Sequence, residues 1–164
     1  MGIGLNFKCQ KCGKEYRVMR GVGMMFPLTY ERTMEAIKEG RYGEQWKQIV
    51  TETSYAAVNA EKEVYLCSSC GSWRTERNLS LYRPNDPEQI RTKQYGIKTV
   101  EEWGDVPYVD RDDLKRDYKL IKAFPHKCGK CGKRMRKAKE AEIKKLPCPR
   151  CGTVNSSNGI LLWD

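Results

Sequence analysis

The chain has 164 residues, is 39% apolar and carries a formal net charge of +10. That length accommodates one ordinary domain or two small ones, and so modest an apolar supply leaves small domains in need of staples. No run approaches the ~18 consecutive apolar residues of a membrane span. The opening MGIGLNFKCQ has no basic region followed by an apolar one, so neither secretion nor a membrane partner is expected and a cytoplasmic address follows.

In chain order, LNFKC and KEYRVMR show strand-like alternation and flank the turn CQKCGK, with Cys9 and Cys12. LTYERTMEAIKEG reads as a helix with Thr29 as N-cap, Gly40 as stop, and Tyr30, Met34 and Ile37 on one face. GEQWKQIVTE places Trp46, Ile49 and Val50 on a second short helical face, so a helical pair is expected over about residues 28–52. KEVYLC and SWRTERNLSLY are again strand-like, around CSSCGS with Cys67 and Cys70. RPNDPEQIRTKQYG, with Pro84 and Pro87 as breakers, reads as a loop or linker. DRDDLKRDYKLIKAF predicts a helix over about 110–122, capped by Asp110, with Leu114, Tyr118 and Ile121 at helical spacing.

The last segment begins with CGKCGK, which holds Cys128 and Cys131. KRMRKA reads as a strand on which Arg134 and Arg136 project together while Met135 turns inward. KEAEIKKLP is expected to be a loop or a single helical turn, CPRCGT supplies Cys148 and Cys151, and GTVNSSNGILLWD reads as a hairpin turning at Ser157, Asn158 and Gly159. The apolar ILLW is expected to pack into the core.

Each C-x-x-C pair is followed at once by Gly. Such a turn lets both thiolates face one ion while successive backbone N–H groups point at the sulfurs, and the Gly takes a positive φ that a side chain would resist. In a reducing compartment eight cysteines in this pattern point to two metal sites rather than to disulfides. Three pairings of four turns exist. Sixteen residues separate Cys131 from Cys148, inside the window for a compact four-cysteine site, so Cys128, Cys131, Cys148 and Cys151 are expected to form one site. Cys9, Cys12, Cys67 and Cys70 would then form the other. Two structural Zn²⁺ ions are the expected cofactors, with iron, which four thiolates also suit, as the alternative.

The turns resemble the knuckles of the zinc-ribbon and rubredoxin-like superfamily, CGKCG and CPRCG most closely, including Pro149 inside the second. The chain also resembles small bacterial zinc-ribbon proteins that have no assigned activity. The resemblance covers the knuckles and adjacent strands and implies fold and metal rather than role. The expected architecture is α+β: a first zinc ribbon over 1–83 with inserted helices, a linker plus helix over 84–124, and a basic second ribbon over 125–164.

Charge is uneven along the chain, since residues 125–164 hold ten basic and three acidic side chains while the first 124 are nearly neutral. A nucleic-acid-binding or regulatory module acting through Lys130, Lys133, Arg134, Arg136, Lys137 and Arg150 is therefore expected, with Lys144 and Lys145 nearby and Trp73, Tyr82 and Trp163 as candidate base-stacking groups. The alternative is a protein-interaction or scaffold module whose basic strand meets an acidic partner, and a more distant one is a rubredoxin-like electron carrier. With one histidine, His126, and no cysteine left over, no nucleophile system can be assembled, so neither an enzyme nor a small-molecule substrate is expected.

Overall fold

The computed structural model describes residues 2–163. Strands β1 (Gly2–Lys8) and β2 (Glu15–Gly21) form a hairpin, and α1 (Phe26–Lys38) and α2 (Glu44–Glu52) follow. A short β3 (Ala57–Val58) precedes a second hairpin of β4 (Lys62–Leu66) and β5 (Trp73–Arg77), and then β6 (Leu81–Pro84). Next come α3 (Pro87–Arg91), a small hairpin of β7 (Gln94–Tyr95) and β8 (Lys98–Thr99), and α4 (Val100–Trp103). Helix α5 (Arg111–Asp117) runs straight into β9 (Tyr118–Lys122). The chain continues through β10 (Arg136–Lys137), α6 (Glu140–Ile143), β11 (Lys145–Pro147), β12 (Val154–Ser156) and β13 (Gly159–Trp163). The fold is thus mixed α and β with antiparallel strand pairing, and among the described residues no helix is long and apolar enough to cross a membrane.

The chain divides into two compact units that alternate along the sequence. Unit 1 comprises residues 1–24, 61–77 and 125–164, and unit 2 comprises 25–60 and 78–124. These units do not coincide with the consecutive blocks 1–83, 84–124 and 125–164 expected from the sequence. Residues 25–60 and 78–124 bury their apolar faces on each other, so the helical insertion and the expected linker together make one core.

In unit 1 a sheet of order β10-β4-β2-β1-β13, with β5 also on β4, carries Leu5, Phe7, Val18 and Val64 toward a core closed by Ala138, Ile143 and Leu146. The rings of Phe7 and Tyr16, opposite each other on β1 and β2, stack 4.9 Å apart. The expected hairpin over 154–163 does not form. Ser157 N–H donates to the Lys144 carbonyl and Asn158 N–H to the Asn6 carbonyl, which sends β12 to β11 and β13 to β1. The single helical turn at α6 is as expected. ILLW is only partly core, since Ile160 and Leu162 on edge strand β13 are exposed; Asp164 lies outside the described residues.

Unit 2 is built on α1, α2 and a three-stranded sheet of order β3-β6-β9. Tyr30, Met34 and Ile37 of α1 are buried as their spacing requires, and so are Trp46 and Val50 of α2. Helix α1 starts at Phe26, not at Thr29, because Pro27 lies in its first turn, where a missing N–H has no intrahelical partner to lose. Pro87, expected to be a breaker, opens α3 for the same reason, with the Asp86 carboxylate capping the N–H groups of Glu88 and Gln89 at 3.0 and 3.3 Å. The helix expected over 110–122 keeps its Asp110 cap but stops at Asp117. Residues 118–122 pair with β6 instead, because an open strand edge satisfies their backbone groups, and Ile121 is exposed.

Where α5 meets β9, the Asp117 carboxylate is 7% exposed and held by Arg116 (2.9 Å) and Lys93 (3.2 Å). Those hydrogen bonds, Arg116 first, keep its pKa below the usual carboxylate range against the opposing effect of burial. Replacing Asp117 with Asn should lower unfolding free energy at neutral pH by about 1–3 kcal/mol. A depressed folded pKa stabilises above the unfolded value and is lost as pH falls through the folded one, so the gap between the two proteins in urea unfolding should close below about pH 4. A gap unchanged by acid would contradict the ion-pair account.

Candidate metal centres

The four cysteine turns share one backbone geometry. In each, the N–H of the first cysteine donates to the carbonyl five residues on (Lys14, Ser72, Lys133, Thr153), and its own carbonyl accepts from the Gly four residues on, all at 2.8–2.9 Å. The four glycines have φ between +70° and +75°. A Cβ there would meet nothing within 4 Å, so it is the backbone conformation, not lack of space, that calls for Gly. Three turns close strand hairpins, β1–β2, β4–β5 and β11–β12, and the turn from Cys128 is framed by a bridge between Lys127 and Arg134. The first cysteine of every turn is buried, at 2–4% exposure.

The eight sulfurs gather into two quartets, each with its atoms within 4.8 Å of one another: Cys9, Cys12, Cys148 and Cys151, and Cys67, Cys70, Cys128 and Cys131. This overturns the pairing expected from spacing. In the outer quartet Cys9 Sγ lies 3.5 Å from Cys151 Sγ and Cys12 Sγ 3.7 Å from Cys148 Sγ. In the inner quartet Cys67 Sγ is 3.5 Å from Cys131 Sγ and Cys70 Sγ 3.6 Å from Cys128 Sγ. Four sulfurs ~2.3 Å from a central ion at tetrahedral angles stand about 3.8 Å apart, so both quartets can hold a metal ion with little adjustment.

Different interactions bring distant turns together at each centre. At the outer one, the Asn155 side chain accepts from Gln10 N–H (3.0 Å) and donates to the Thr153 carbonyl (2.7 Å) and the Tyr16 hydroxyl (3.3 Å). Tyr16 in turn donates to the Leu146 carbonyl at 2.8 Å, and Trp73 Nε1 to the Pro147 carbonyl at 2.7 Å. At the inner centre, β10 pairs with β4, and Met135 packs with Tyr65, Cys67 and Cys128. His126 belongs to neither quartet. It is buried, stacks on Tyr65 with ring centroids 3.7 Å apart, and holds Glu76 at 2.8 Å through Nδ1.

Sequence reasoning misses the hydroxyls that close two of the turns. Ser72 Oγ lies 3.1 Å from Cys70 Sγ and 3.0 Å from Cys128 Sγ, and Thr153 Oγ1 lies 3.3 Å from Cys151 Sγ. The signal is the residue after each C-x-x-C-G, which is Ser or Thr in two of the four. Hydrogen bonds from Ser72 and then from the Cys131 and Lys130 amides bring Cys128 down to about 6. The Cys12 amide does the same for Cys9, against burial, also to about 6. Cys12 goes the other way: the Lys14 amide favours its thiolate, but burial and the neighbouring sulfurs push it up to about 11. Cys131, favoured by the Lys133 amide but crowded by Cys67 and, with some loss of hydration, by Cys128 and Cys70, also rises to about 11. Each thiolate formed raises the penalty for the next, and a cation at the centre removes that repulsion.

The basic candidates are spread over both centres. Lys130 and Lys133 lie in the turn of the inner centre, with Arg134 just beyond it, and Arg150 lies in the turn of the outer centre; all four are exposed and have no acidic partner among the described residues. Arg136 is held by Glu142 through two hydrogen bonds of 2.6 and 2.8 Å, and Lys137 reaches Glu63 at 2.5 Å. Arg134 and Arg136 are exposed with Met135 buried between them, as alternation requires. Of the aromatic candidates, Trp73 packs against the unit 1 core, Tyr82 lies in unit 2, and Trp163 carries Lys62 Nζ 5.0 Å from its ring centroid.

No family model, curated protein or solved structure matches the chain. Its class therefore rests on the two tetra-cysteine centres themselves.

Two measurements check these centres. Replacing Cys9 and Cys148 together with Ser should remove one of two bound metal ions by elemental analysis, because both belong to the outer quartet; loss of both ions would restore the pairing by spacing. Protons compete with metal for thiolates, and metal lowers the thiol pKa further. Release to a chromogenic chelator should accordingly begin below about pH 6, the value at Cys9 and Cys128, and release that grows as pH rises would contradict it.

Proposed function

We propose that the chain is a zinc protein of two nested zinc ribbons whose metal-bearing unit binds the phosphate backbone of a nucleic acid. Closed sets of four cysteine ligands favour structural Zn²⁺, which leaves no open position for a substrate. Iron in either centre would give strong visible charge-transfer bands, so an absorption spectrum tests the metal.

The observation that carries the binding proposal is the segregation of charge between the units. Unit 1 holds eighteen basic and seven acidic residues, a net +11, whereas unit 2 holds thirteen and fourteen, a net −1. Two zinc ions with four thiolates each would lower the first figure to about +7. The described acids of unit 1 are already engaged within it. Glu15 meets Lys8, Glu63 meets Lys137, Glu76 meets Arg74 and His126, Glu140 meets Arg20, Glu142 meets Arg136, and Glu61 is buried with a partner of its own. The exposed surplus includes Lys11, Lys14, Lys130, Lys133, Arg134, Lys144, Lys145 and Arg150. Three of the four turns carry a cation directly before the second cysteine: Lys11, Lys130 and Arg150. With Trp73 partly buried against the core, phosphate contacts rather than base stacking support binding.

Fluorescent single- and double-stranded oligonucleotides titrated at several salt concentrations provide the test. About five phosphate contacts on a duplex give a slope of log K against log salt near −4 to −5. Combined replacement of Lys130, Lys133, Arg134 and Arg150 with Ala should flatten that slope by about one for each phosphate no longer neutralised. A salt-independent affinity, or an unaltered slope in the variant, would remove the proposal.

A further inference from the structure

Unit 2 contains a groove that the metal centres do not use. It runs beside α1, has a volume of about 430 Å³, and adjoins a second of about 560 Å³ that shares Met34, Lys38 and Asp105 with it. Tyr30, Met34 and Val106 form its buried floor. The walls are Pro27, Leu28, Pro107 and the indole of Trp103, which is 53% exposed.

Its rim is acidic. Glu31 and Glu35 lie one turn apart on α1, where like charges repel, and neither has a cationic partner among the described residues. Lys38 does not relieve them, because its Nζ reaches across to Asp105 at 2.7 Å. Three carboxylates therefore face one ammonium over an apolar trough. The Lys38–Asp105 pair that borders both grooves is about half exposed on each side (49% and 48%), the kind of surface pair that contributes little and opens readily. Trp103 already carries one cation, Lys98 Nζ at 5.2 Å from the ring centroid, so its indole accepts ammonium or guanidinium groups.

We propose that this groove binds an extended basic peptide segment of a partner protein, with arginine or lysine side chains at Glu31 and Glu35 and intervening apolar or proline residues against Trp103, Pro27 and Leu28. Charge complementarity selects the cations, and an open trough with an aromatic wall suits an extended chain better than a compact ligand. This goes beyond the nucleic-acid proposal and does not depend on it, since the residues involved belong to unit 2.

The probe is a fluorescein-labelled peptide of four Arg-Pro-Leu repeats, its Glu-Pro-Leu counterpart the control, each titrated by anisotropy into the intact metal-loaded protein. The basic peptide should bind at least about 10-fold more tightly than the acidic one, and Glu31→Gln with Glu35→Gln should remove most of that advantage. Trp103→Leu should weaken binding about 3-fold, and oligonucleotide affinity should stay unchanged in both variants. Both carboxylates and the indole are exposed, so folding should persist, which the far-UV spectrum checks. Equal binding of the two peptides, or full binding by the Gln variant, would overturn the proposal. Spermidine or free argininamide competing as strongly as the peptide would overturn it too, marking a small-cation site.

Discussion

Closure of two sulfur quartets by turns far apart in the chain is the constraint on which unit 1 depends. Cys9 and Cys151 meet across nearly the whole chain, and Cys67 and Cys131 meet inside that span. The turns are nested, first with fourth and second with third, so the two centres tie all three segments of unit 1. Ties over such distances restrict the unfolded chain far more than local ones. Strands as short as β10, β11 and β12 have few ladder hydrogen bonds of their own. A metal ion at each centre would supply the long-range closure that their length cannot. Unit 2 is what the chain builds between these ties: 25–60 runs from the first turn to the second, and 78–124 from the second to the third.

Charge follows the same division. Along the chain the excess of basic residues looks terminal, but in the fold Lys11, Lys14 and Arg17 from the first hairpin and Arg77 from the second join the basic residues of 125–164 in unit 1. Zn²⁺ held by four thiolates would leave each centre at a net −2, which would stabilise positive side chains beside it and account for part of this accumulation. The remainder would exceed what two such centres can neutralise, and the described acids of unit 1 are committed to internal pairs. The nucleic acid proposed as a partner rests on this surplus. Unit 2 presents a different surface, in which carboxylates of α1 stand over an apolar trough.

What could be read from the sequence was local. The eight clustered cysteines, the positive-φ glycines, the buried stripe of Tyr30, Met34 and Ile37, the Asp110 cap and the inward turn of Met135 all follow from short-range spacing. The pairing of turns did not, because it depends on which strands meet. β10 lies on β4, and Asn155 reaches Gln10 and Tyr16, interactions that join residues about 70 or more positions apart. A compact spacing such as that of Cys131 and Cys148 permits a site without requiring one. Local signals also gave way where an open strand edge competed: residues 118–122 have helical spacing, yet β6 offers them backbone partners. Prolines act in the opposite direction, since Pro87 opens α3 where a breaker is expected and Pro27 sits in the first turn of α1, ahead of the start expected at Thr29.

The nested pairing is tested most directly by loading the protein with ¹¹³Cd and correlating each cadmium resonance with the β-protons of the cysteines bound to it. The structure predicts one cadmium coupled to Cys9, Cys12, Cys148 and Cys151, and a second coupled to Cys67, Cys70, Cys128 and Cys131. A cadmium coupled to Cys128, Cys131, Cys148 and Cys151 together would contradict it, and with it the division of the chain into two interleaved units.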